Sequence, residues 1–97
     1  MKVREFLIQS KVFPNLKGFN YIISAVEMVQ KNGRIATTKD LYPEIAKQFN
    51  TTSSKVERAI RFIVTSKISN KDYEKIGILK KPTNTEFIYF FANGGQI

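Results

Sequence analysis

The sequence predicts an all-α fold, a compact helical bundle of about five to six helices containing a helix-turn-helix, with a winged helix as the competing architecture. Three observations carry this. Apolar residues recur at helical spacing through most of the 97 residues. Residues 41–61 read LYPEIAKQFNTTSSKVERAIR, two short amphipathic patterns joined by a polar turn. A T-x-x-E capping box, Thr83 with Glu86, precedes the last apolar run.

Taken in order, Val3, Phe6, Leu7 and Ser10 share one face of a first short helix over residues 2–11. Pro14 and Asn15 interrupt it. A longer helix over 16–31 follows, with Phe19, Ile22, Ile23, Val26 and Val29 as its core stripe and Gly33 as its stop. It reads as scaffold, since nothing in it suggests chemistry.

A supporting helix is expected over about 41–49. Leu41, Ile45, Ala46 and Phe49 form its buried stripe, and Glu44, Lys47 and Gln48 face away. Pro43 fits only the first turn, where its missing N–H has no intrahelical acceptor to lose. Thr37 and Thr38 are alternative caps about a turn earlier. Ala46 is small enough for a close helix crossing, and Asn50 tolerates the left-handed conformation that ends a helix.

Residues 51–54 supply a run of hydroxyls, poor inside helices but good at their N-termini, and Thr52 is the predicted cap of a second helix over about 53–66. Val56, Ala59, Ile60, Ile63 and Val64 line its apolar face, while Ser54, Lys55, Arg58 and Arg61 gather opposite. A solvated basic face is the plain reading of that pattern. Clustered cations, the partial positive charge of a helix N-terminus and hydroxyls able to donate to phosphate favour nucleic acid instead.

After this helix, 68–81 predicts one short helix and a loop that Pro82 ends. The aromatic run 87–91 has two readings, a last helix started by the capping box, or a strand pairing with 76–79 to make a wing. In either case the run fills core or a dimer contact, because five adjacent large side chains cannot all face water cheaply. A base-stacking platform is disfavoured by the lack of interleaved cations and glycines.

The length suits one domain over 1–97. Sixteen Lys and Arg against eight Asp and Glu give a net charge of +8, which calls for a polyanionic partner. The excess is +3 over 1–33, +4 over 34–67 and +1 over the rest, so the most basic third contains the helix pair. Nucleic acid is favoured over an anionic membrane. The chain has no Cys and no His, which removes disulfides, zinc fingers and the commonest catalytic bases; no metal, no cofactor and no enzymatic activity are expected. Neither a bilayer-spanning run nor a signal peptide is evident, and a cytoplasmic, nucleoid-associated location is expected.

The blocks LYPEIAKQFNTT and SKVERAIR, with KGFNYI upstream and KPTNTEFI downstream, occur in the order found in one family and span about residues 14–88. The chain resembles the C-terminal DNA-binding effector domain of the bacterial sporulation-initiation master response regulator. That resemblance implies an all-helical fold, hence a last helix rather than a wing. It also implies that the second helix of the pair enters the major groove and reads bases through Lys55, Glu57 and Arg58. Arg58 would grip a guanine through two hydrogen bonds, and Glu57 would accept from a cytosine amino group or orient that arginine. Lys55 stands where the family has arginine, keeping the charge without the planar fork. Thr52, Ser53, Ser54, Arg61, Lys39 and Lys47 are expected on the DNA backbone or at the edge of the site. Homodimers on tandem sites and an RNA polymerase contact are further implications. The stretch 65–80 is shorter than the family pattern and the ending FFANGGQI is its own. The family's receiver domain has no counterpart in these residues, so phosphorylation control within the chain is not expected. The competing function is a protein-interaction adaptor or antagonist using the same fold without specific DNA recognition.

Overall fold

A computed structural model describes residues 1–33 and 37–94, except for the side chains at positions 37 and 38. Six α-helices and no strand occur among the described residues: α1 Val3–Gln9, α2 Lys17–Asn32, α3 Tyr42–Gln48, α4 Ser53–Phe62, α5 Asn70–Lys75 and α6 Asn84–Ala92. The all-α expectation therefore holds, and the wing does not form.

The apolar stripes read from the sequence become the core. Val3, Phe6, Leu7 and Ser10 of the first stripe are all buried, and so are Phe19, Ile22, Val26 and Val29 of α2. Ile23 is only half-buried; Tyr21 and Ala25 take inward positions beside it. Gly33 ends α2 with φ 73°, a conformation open to glycine at no steric cost. The α2 helix packs against α6 on one side and α4 on another, so it is the post around which the domain is built.

The aromatic run resolves into a helix because its residues do not share one environment. Thr83 accepts the Glu86 N–H at 3.1 Å, and the Glu86 carboxylate accepts the Thr83 N–H at 2.9 Å, completing the capping box. Phe87, Ile88 and Phe91 turn inward at helical spacing, while Tyr89 and Phe90 stay half-buried. Phe6 of α1 meets Phe91 at 5.2 Å and Phe87 at 6.2 Å between ring centroids, and Tyr73 of α5 stands 6.3 Å from Phe87, edge-on. This cluster locks α1, α5 and α6 into one rigid half.

Two expectations about the helix pair need correction. Phe49 is not in the buried stripe: it is 41% exposed, because α3 ends at Gln48 and the chain turns away, leaving its ring edge-on against Tyr21 at 5.1 Å. The second helix is not uniformly α-helical to residue 66. It stops at Phe62 and widens into a π-helical turn, Ile63–Lys67, in which the Ile68 N–H reaches back to the Ile63 carbonyl at 3.2 Å. The Thr65 hydroxyl donates to the Arg61 carbonyl at 2.7 Å, competing with the regular ladder. The wider turn lets Ile63, Val64 and Ile68 all bury. Ahead of α3, residues Thr37–Leu41 also form a π-helical turn. The expected capping by the Thr37 and Thr38 side chains lies outside the described residues.

Candidate nucleic-acid interface

The turn between α3 and α4 follows the chemistry of its residues. Asn50 takes φ 53°, the left-handed conformation, and the Thr51 N–H bonds to the Ala46 carbonyl at 2.8 Å. Thr52 is extended, and its hydroxyl accepts the Lys55 N–H at 3.2 Å. That bond satisfies one of the donors a helix start would leave unpaired. Pro43 sits in the first turn of α3.

What seats α4 is its contact with α2. Gly18 is buried, and a Cβ there would lie 2.5 Å from the Ala59 carbonyl oxygen and 2.7 Å from Ile63 Cδ1. The α2 backbone at Gly18 lies against the α4 backbone at Ala59, with the tip of Ile63 beside the contact. Ala59 is small for the same reason, and Val56, Ile60, Ile63 and Val64 bury on either side of the crossing.

On the outer face Ser54, Lys55, Arg58 and Arg61 are all exposed, as their spacing predicts. Two clefts flank that face. One, toward α2, is lined by Lys17, Asn20, Asn50, Thr51, Lys55 and Arg58. The other, toward α3, is lined by Tyr42, Ser53, Ser54, Glu57, Arg58 and Arg61. Arg58 belongs to both. Glu57 is half-buried, and its carboxylate pairs with Arg61 across one helical turn at 3.5 Å, not with Arg58. Such a pair near solvent is worth only about 0.3–0.5 kcal/mol, so it holds neither partner firmly. Lys39 and Lys47 are exposed and line neither cleft.

The far wall of the second cleft is Tyr42, 3% exposed, whose hydroxyl accepts from Asn84 Nδ2 at 3.1 Å. Burial pushes this phenol above the ordinary tyrosine range, and the Asn84 bond offsets part of that rise. The Asn84 amide also donates to the Glu57 carbonyl at 3.2 Å. Deeper in, the Tyr73 hydroxyl donates to the Val64 carbonyl at 2.6 Å and holds the π-helical turn that follows the basic helix; burial raises this phenol too.

Sequence reasoning missed Lys17, Asn20, Tyr42 and Asn84 as neighbours of the site. One clue was available: Gly18 inside an otherwise regular apolar pattern marks a close backbone approach, and Lys17 precedes it. The other three come near α4 only through tertiary packing.

A supporting helix, a left-handed turn and a capped basic helix lying open between two cation-lined clefts define a helix-turn-helix DNA-binding domain. The family described as Sporulation initiation factor Spo0A C terminal matches residues 3–94, and the chain belongs to that family. It is thus a DNA-binding effector domain of sporulation regulation, acting on double-stranded DNA. Among the described residues no helix is long and apolar enough to cross a membrane.

Proposed function

We propose that this domain reads a specific duplex sequence with α4 in the major groove and works at the nucleoid. Arg58 makes the bidentate contact to guanine; Glu57 accepts from a cytosine amino group once DNA displaces Arg61; Lys55 contacts a base edge or the neighbouring phosphate. Thr52, Ser53, Ser54 and Arg61 serve the backbone on one flank, and Lys17 with Asn20 does so on the other. Lys39 and Lys47 act further out, through charge alone. The observation that carries the reading is the place of Arg58, exposed at the meeting of both clefts, so that phosphate contacts on either side would centre it on the base edges. Pairing of two domains on tandem sites would raise affinity and selectivity, and a polymerase contact would follow from bound DNA.

Selection from a random duplex pool at several salt concentrations tests this. One enriched motif is expected, and Arg58→Ala should lose roughly 1–3 kcal/mol of discrimination on it while binding random duplex nearly as before. Equal losses on both duplexes would sink the assignment. The competing reading, a protein-binding adaptor, gains nothing from Leu79, 87% exposed in the loop before α6, because a single exposed aliphatic side chain is ordinary on a protein surface. Salt-insensitive binding to a protein with no duplex shifted would favour the adaptor.

A further inference from the structure

Asn84 is the first residue of α6, directly after the Thr83 cap, and its side-chain amide bonds outside that helix. Its one amide nitrogen donates to two acceptors, the Tyr42 hydroxyl at 3.1 Å and the Glu57 carbonyl at 3.2 Å. Tyr42 is the first residue of α3, and Glu57 lies in the middle of α4. A single side chain therefore links the last helix to both members of the helix pair. It attaches to α4 on the backbone of the residue next to Arg58.

The location matters because apolar packing and hydrogen bonds constrain a helix differently. The inner face of α4 is held by non-directional burial and by the crossing at Gly18, a pivot that fixes distance more tightly than rotation. A hydrogen bond has preferred direction as well as length, so a donor on the backbone beside Arg58 restricts rotation about the helix axis. The α6 anchor is itself fixed, since Phe87 and Phe91 are clamped against Phe6. Recognition groups work only when held to about 0.5 Å and 10–20°.

We propose that Asn84 is a positioning residue for DNA reading: its amide sets the rotation of α4 against α3 and α6, bringing Arg58 and Glu57 to the base edges in register. This rests on the assignment of Arg58 as base reader made above. Asn84 touches no base. Its effect falls on discrimination between sequences and spares the phosphate contacts that bind any duplex.

The test compares wild type, Asn84→Ala, Arg58→Ala and the double variant, each on the selected duplex and on a scrambled one, with thermal melting alongside. Alanine is compatible with the first turn of α6 and leaves the Thr83–Glu86 box intact. Asn84→Ala should cut the specific-to-scrambled affinity ratio by on the order of tenfold, the scale of one well-placed hydrogen bond, with scrambled affinity and its salt dependence unchanged. In the Arg58→Ala background the further cut should be clearly smaller, only the part that runs through Glu57. A lowered melting point with the ratio unchanged overturns the proposal. So do additive losses, which leave the Arg58 assignment standing, and an Arg58→Ala protein that keeps full discrimination, which brings that assignment down too. Should Asn84→Ala fail to fold, Tyr42→Phe, which leaves the bond to Glu57 in place, carries the same comparison with a smaller expected drop.

Discussion

On its inner side α4 meets α2 backbone to backbone at Gly18 and Ala59; on its outer side Lys55 and Arg58 make no side-chain hydrogen bond or ion pair among the described residues. The first surface has no slack and the second has nothing to lose. The inner residues therefore determine whether the helix is presented at all, while the outer ones can change without disturbing the fold. Lys55 is exposed on that outer side, so replacing it changes the charge there without touching the packing that presents the helix.

The sharpest way to break this contrast is Gly18→Ala. The Ile63 side-chain tip can swing aside, but the Ala59 carbonyl cannot, so α2 and α4 must separate. A loss of about 1–3 kcal/mol in denaturant unfolding is expected, with weaker binding to every duplex because the two clefts shift together. An unchanged or raised stability would mean that the crossing has slack and the contrast is false. Thr52→Ala probes the boundary between the two faces. Losing the cap should cost about 1 kcal/mol of stability, and Thr52→Ser should restore most of it, in equilibrium unfolding. Lys17→Ala tests the outer surface and should be the mildest. Melting should not move, while affinity for specific and random duplexes falls equally and the salt slope drops by about one, the signature of a single lost phosphate contact. A sequence-dependent loss would assign Lys17 to base reading instead.

Much of this molecule was legible beforehand because its local signals agree with one another. The Thr52 and Thr83 caps, the left-handed Asn50, the Pro43 start and the stripes of α1, α2 and α4 each depend on residues within a turn or two. The expectation for Phe49 failed because periodicity assumes that a helix continues, and α3 stops one residue earlier. The extent of α4 was misread for a related reason. Competition between the Thr65 hydroxyl and the ladder, with three aliphatic residues to bury, widens the turn at a point that no capping residue marks. Pattern alone left helix and strand open for 87–91, and the split of its aromatics between the Phe6 cluster and the half-exposed edge settles it.

The last helix apart, the sequence by itself determined where helices form, the caps at Thr52 and Thr83, the basic outer face and the polyanionic character of the partner, since each follows from spacing and charge along a continuous stretch. Only the tertiary structure decided what surrounds that face. Lys17, Tyr42 and Asn84 reach α4 from three other helices, and no periodicity relates residues so far apart in the chain. Their meeting depends on the closeness of the Gly18 crossing and on where the Asn84 amide finds its two oxygens, distances that exist only once the core has closed.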